Sequence, residues 1–142
     1  MRVRITRLNP SVPLPVYSSP GAAGFDLAAA EDVDVPPGEI RLVGTGLVVK
    51  VPAGSFFALI ARSSTPLKRG LVVPNGVGVI DSDYCGPSDE VKIQVMNVTR
   101  NVVSVKRGDR LAQGIVLAAP RVEFEEAEVS EPSRGGFGST GA

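Results

Sequence analysis

Along this chain the apolar positions follow two patterns, and both belong to strands. Val91, Ile93 and Val95 alternate with Lys92 and Gln94, while Val3 and Ile5 alternate with Arg2, Arg4 and Thr6. A period of two sends one set of side chains to a core and the other to water, as in half-buried strands. Elsewhere the apolar residues run almost unbroken, from Leu47 to Val51, Phe56 to Ile60 and Leu111 to Leu117. Short runs of that kind suit strands covered on both faces. Pro36-Pro37-Gly38, Pro52-Ala53-Gly54 and Arg107-Gly108-Asp109 punctuate between them as turns. No long amphipathic helix is evident. One or two helical turns are expected from Ser63 to Arg69, with Ser63 or Ser64 as cap and Gly70 at the end. The pattern predicts an all-β, jelly-roll-like sandwich with at most one short helix.

Composition narrows this picture. The 142 residues fit one domain with a single core. The 16 glycines and 12 prolines, beside abundant apolar residues, indicate a turn-rich globular chain and not a disordered one. Lys and Arg total 15 and Asp and Glu total 15, so no generic attraction to nucleic acid or membrane is expected. Any polyanion has to be met by a local cluster. Cys85 is the one cysteine, which excludes an internal disulfide, and no apolar run has the length of a membrane span. With no secretory signal at its start, the chain is expected in the cytoplasm. There is no histidine, so carboxylates are left for proton transfer and oxygen ligands for a hard cation such as Mg²⁺. Without a histidine to activate it, Cys85 reads as a bystander thiol.

Three segments carry candidate chemistry. In Ala61 to Gly70, Arg62, Ser63 and Ser64 bring a guanidinium and two hydroxyls to the end of an apolar run, a set suited to an anion; the competing reading is an ordinary capped turn. Asn75-Gly76 is a strong hairpin signal, and near such a tip the Asn75 amide and free backbone groups are able to read a pyrimidine edge. Asp81 closes the mostly apolar stretch Val77 to Ile80, so it stands either as a general base at a strand end or as the start of a turn. From Glu123 the chain is acidic, and it ends Arg134-Gly135-Gly136-Phe137-Gly138-Ser139-Thr140-Gly141-Ala142. That end is either a solvated terminus or a lid whose arginine, aromatic ring and glycines cover phosphates and a base.

Taken in order, five segments resemble the motifs of the trimeric dUTP diphosphatase family: Ala23 to Ala28, Ala61 to Gly70, Asn75 to Gly86, Gly108 to Ile115 and Arg134 to Gly141. The resemblance implies a jelly-roll homotrimer, residues 1–127 forming the core and residues 128–142 a flexible tail that closes over a neighbouring active site. It implies hydrolysis of dUTP to dUMP and pyrophosphate by water attack on the α-phosphorus, limiting uracil in DNA and supplying dUMP for thymidylate synthesis. Asp81 would be the general base. Arg62, Ser63, Ser64 and Gln113 would bind phosphate oxygens; Asn75 with the backbone at Gly78, Val79 and Ile80 would pair with uracil. Tyr84 would pack on the deoxyribose, with Lys92 near it, and Phe137 would stack on the base. Arg134, Gly138, Ser139 and Thr140 would cover the phosphates. Mg²⁺ would be held mainly by the triphosphate, with Asp26 acting on it indirectly through water. The chain departs from the family pattern after Tyr84, where Pro87-Ser88-Asp89 separates Gly86 from Glu90 and reads as a three-residue insertion at a turn. A dCTP deaminase of the same superfamily would need a glutamate beside the base ring, and no matching glutamate motif is present. A silent nucleotide-binding regulator would have had no need to keep Asp26, Arg62, Asp81 and the full tail.

Overall fold

Eleven strands and one helix account for the regular structure of the computed structural model, which describes residues 1–136. In chain order they are β1 (Arg4–Arg7), β2 (Phe25–Ala28), β3 (Val33–Val35), β4 (Ile40–Gly44), β5 (Leu47–Lys50), β6 (Ser55–Ala61), α1 (Ser64–Arg69), β7 (Leu71–Val72), β8 (Val77–Ile80), β9 (Lys92–Asn97), β10 (Val103–Val105) and β11 (Arg110–Ala118). A four-stranded sheet in the order β2-β11-β6-β8 and a three-stranded sheet in the order β4-β9-β7 enclose the core, to which the ribbons β1-β5 and β3-β10 add Leu47, Val49, Val35 and Val105. Every pairing is antiparallel. This is the jelly-roll-like β-sandwich that the apolar pattern predicts. No helix among the described residues is long and apolar enough to cross a membrane.

The expected alternation holds on β9, where Ile93 and Val95 are fully buried and Lys92 is exposed. The run through β5 holds too: Leu47, Val48 and Val49 are all buried. The run through β11 needs correction. Leu111 and Ala112 are buried, but Leu117 is 44% exposed, because the outer end of β11 has nothing packed on one face within the chain. The Asn75-Gly76 turn also differs from expectation. Val73-Pro74-Asn75-Gly76 closes a turn through the Gly76 N–H to the Val73 carbonyl at 3.1 Å. The strands it joins do not pair with each other: β7 pairs with β9 and β8 with β6. The turn therefore carries the chain from one sheet to the other, and β8 becomes an edge strand.

Gly114 decides how tightly the larger sheet packs. It lies on β11 beneath the stacked rings of Phe25 and Phe57, whose centroids are 5.7 Å apart. A Cβ there would stand 2.2 Å from one carbon of Phe57 and 2.9 Å from Phe25. Only glycine lets both rings cross the strand. Tyr17 meets the other edge of Phe25 at 5.6 Å. Phe25 is thus a core residue.

Candidate functional site

Asp26 sits at the centre of the best-formed polar cluster. It belongs to β2, facing Gln113 of β11 across the ladder, and Gln113 in turn faces Ile60 of β6. Three strands in register therefore bring the first, second and fourth motifs to one end of the sheet. Arg62, just past β6, places its Nε 2.7 Å from one carboxylate oxygen of Asp26, and Arg110 places Nη1 3.0 Å from the other. One carboxylate holds two guanidiniums, leaving the pair with net positive charge. Arg62 also donates to the Arg110 carbonyl at 3.4 Å, and the Gln113 amide donates to the Ala61 carbonyl at 3.3 Å. The surplus charge and the donors on these side chains suit a multiply charged anion.

Ser63 and Ser64 lie beside this cluster, Ser63 exposed and Ser64 half-buried. Neither acts as the expected cap. Ser63 holds the N-cap position with helical backbone angles and makes no side-chain cap hydrogen bond. The fixing residue is instead Thr65, 1% exposed, whose hydroxyl donates to the Leu111 carbonyl at 2.7 Å. The other end of α1 is as expected: Gly70 adopts the left-handed conformation at φ +64°, and its N–H bonds the Pro66 carbonyl at 3.1 Å. Leaving the serine hydroxyls uncommitted to a cap keeps them available for a ligand.

Asp81 is not brought to this cluster within one chain. Ile80 faces Phe57, so Asp81 follows at the level of Phe56, while Arg62 lies beyond Ala61. Six residues of strand separate those levels, about 20 Å at the usual rise. The exposed Asp81 carboxylate lines a hollow with Ser55, Phe56, Ser82, Asp83 and Arg121. Along β8 towards Arg62 come Ile80, the 64%-exposed Val79, Gly78 and the exposed Asn75. An edge strand leaves part of its backbone N–H and C=O groups without a ladder partner. A Cβ on Gly78 would stand 3.8 Å from the Asn75 amide nitrogen and 3.2 Å from Leu59, so glycine keeps the space beside that amide open.

The segment after Tyr84 that reads as an insertion folds as a closed turn. The Asp89 carboxylate accepts the Gly86 N–H at 2.6 Å, and the Asp89 N–H donates to the Gly86 carbonyl at 3.1 Å. Glu90 then accepts the Gly46 N–H at 2.7 Å and lies 4.0 Å from Lys92. The Tyr84 hydroxyl reaches the Glu90 carbonyl at 3.5 Å. Tyr84 and Lys92 thus each approach Glu90, one at its backbone carbonyl and the other at its carboxylate. Arg134 is exposed, in a segment without regular structure that begins after Ala118. Phe137, Gly138, Ser139 and Thr140 lie outside the described residues.

Sequence reasoning missed Arg110, Thr65 and the pair of Arg69 with Asp109. Arg110 and Asp109 stand inside a motif from which only Gln113 received a role. Arg69 grips Asp109 in a two-point pair at 2.7 and 2.8 Å. That guanidinium, with the Lys106 N–H, holds the Asp109 carboxyl below its ordinary value of 3.8. A second acid, Asp32, is likewise held low by the Arg107 N–H and by Lys106.

The dUTPase family model matches residues 11–141 of the chain. The deoxyuridine 5'-triphosphate nucleotidohydrolase of Wolinella succinogenes is 41% identical over 144 residues, covering 99% of this chain and 95% of that protein. The dUTPase structure from Streptococcus mutans superposes with a TM-score of 0.79 at 33% identity, covering 86% of this chain and 98% of the other. The dUTPase of Staphylococcus bacteriophage 80alpha, solved with dUPNHPP, shares the fold with a TM-score of 0.87 at 23% identity and 99% coverage of both chains. Similarity of that extent, running through the Asp26 cluster and the Asp81 strand alike, leaves one conclusion: the chain belongs to the dUTPase family.

Proposed function

We propose that this protein is a dUTP diphosphatase whose active site is completed by a second copy of the chain. The observation that carries the reading is the Asp26 cluster, where Arg62 and Arg110 converge on one carboxylate beside Ser63, Ser64 and Gln113. It supplies cationic and hydroxyl donors for a triphosphate on a fold shared with dUTPases. Asn75 and the free edge of β8 read uracil, with Gly78 leaving room for the base beside the Asn75 amide. Tyr84 packs on the deoxyribose, and Lys92 lies near it.

Asp81 takes a proton from water as the water oxygen bonds to the α-phosphorus, and the bond to the departing pyrophosphate breaks in line. Because Asp81 and Arg62 of one chain stand about 20 Å apart along β6, the base acts on a triphosphate held by a neighbouring chain. A homotrimer with three shared sites satisfies that requirement with closed symmetry. The tail beyond residue 127 closes over a neighbour's site, with Phe137 on the base and Arg134, Gly138, Ser139 and Thr140 over the phosphates; closure excludes water.

The donor set fits Mg²⁺ carried in with the substrate. Among the described residues no three Asp, Glu or Cys side chains converge on one point. Each Asp26 oxygen already faces a guanidinium, so Asp26 would act on a hydrated cation through its bound water. When bound, Mg²⁺ neutralises charge on the triphosphate.

Pyrophosphate release from dUTP, dTTP, dCTP and UTP, with product nucleotides separated, tests the reading. Fast release from dUTP alone is expected. Binding of dUTP without release would replace the enzyme with a regulator, and uracil nucleotide formed from dCTP would replace it with a deaminase.

A further inference from the structure

Two side chains outside every role above tie the helix after Arg62 to the start of β11. Arg69 is the last residue of α1, and its guanidinium grips both oxygens of Asp109 at 2.7 and 2.8 Å. Asp109 also accepts the Lys106 N–H at 2.9 Å, which folds the turn from Lys106 around its carboxylate. The backbone of the same turn is anchored on β2's end, with the Ala29 N–H donating to the Asp109 carbonyl at 2.9 Å and the Gly108 N–H to the Ala29 carbonyl at 2.8 Å. The next residue is Arg110, which reaches Asp26. At the other end of α1, Thr65 bonds the Leu111 carbonyl. The helix is thus pinned to β11 at both of its ends, once by a hydroxyl and once by a fork-on-fork ion pair.

We infer that the Arg69–Asp109 pair is a positioning clamp for the triphosphate site, fixing Ser63 and Ser64 at the head of α1 against Arg110 and Gln113 on β11. Neither residue touches the phosphates. The clamp acts by holding donors from two motifs at one spacing, and a planar guanidinium fixes both distance and angle where a lysine would keep the charge but not the angle. The inference rests on the Asp26 cluster being the phosphate site, and it adds how that site keeps its shape.

The test uses the full chain and two probes, inorganic tripolyphosphate and deoxyuridine, with binding read by calorimetry so that turnover is not required. Arg69→Leu, Asp109→Asn and the double variant are compared with Arg69→Lys. Tripolyphosphate affinity is expected to fall roughly ten- to hundredfold in each single variant, no further in the double, and less in Arg69→Lys, while deoxyuridine affinity is unchanged. Unaltered tripolyphosphate binding in the single variants overturns the clamp. So does a parallel loss of deoxyuridine binding, the mark of general loosening. A wild-type chain that binds tripolyphosphate but leaves dUTP intact would defeat the proposed reaction and leave the clamp to be judged on the same binding data; one that binds no tripolyphosphate defeats both.

Discussion

Asp81 and Gly114 show how differently single residues bear on the activity. Asp81 is exposed at the end of an edge strand and packs nothing, so replacing this proposed base is expected to cost chemistry and not stability. Asp81→Asn is expected to retain dUTP binding and lose about three orders of magnitude in kcat, the usual worth of a positioned base. Equal losses in binding and kcat, measured by titration and steady-state kinetics, would assign it a structural part. Gly114 is the opposite case. Gly114→Ala drives a methyl into Phe57 and Phe25, and a destabilisation of about 3 kcal/mol, roughly 10 °C in Tm, is expected by thermal denaturation. Asp81 was legible in the sequence as a carboxylate ending an apolar stretch. The need for glycine at 114 was not, because it depends on two rings from neighbouring strands meeting over it.

At the scale of elements, the strands announced themselves and their partners did not. The alternation at Val91 to Val95 and the run at Leu47 to Val51 gave β9 and β5, since burial of one or both faces is written directly into residue order. The turn at Asn75-Gly76 was equally plain, yet its reading as a hairpin failed because pairing is decided by which sheet each flanking strand joins. The helix after Arg62 ended where Gly70 required. Its start is held by Thr65 reaching Leu111, a contact 46 residues away in sequence that no local capping rule reveals. The clamp at its far end also shapes the response to pH. Since Arg69 and the Lys106 N–H hold the folded Asp109 carboxyl below 3.8, its contribution is complete above the unfolded value and is lost as pH falls through the folded one. The Tm difference between wild type and Asp109→Asn is expected to be steady near neutrality and to shrink below about pH 4. Being part-exposed, the pair is screened, and added salt should narrow the same gap. A gap that widened on acidification would contradict the assignment.

For the molecule as a whole, the sequence was most informative about what must be assembled and least about where assembly happens. The ordered motifs named Asp26, Arg62, Ser63, Ser64, Gln113, Asn75, Tyr84 and Asp81 as one site. The fold gathers the first five at one end of the larger sheet and leaves Asp81 some six residues down β6. Order along a chain carries no sign of that distance, because motifs that fold to opposite ends of a strand read the same as motifs that fold together.

Mixing two inactive chains puts this division to the most direct test. Asp81→Ala and Arg62→Ala proteins should each fail to release pyrophosphate from dUTP. After subunit exchange at equal amounts, random reassortment gives about a quarter of the sites an intact Asp81 from one chain and an intact Arg62 from another. Recovery of about that fraction of wild-type activity is expected in the mixture. Exchange of subunits with no recovery would contradict it and return Asp81 and Arg62 to a site built within a single chain.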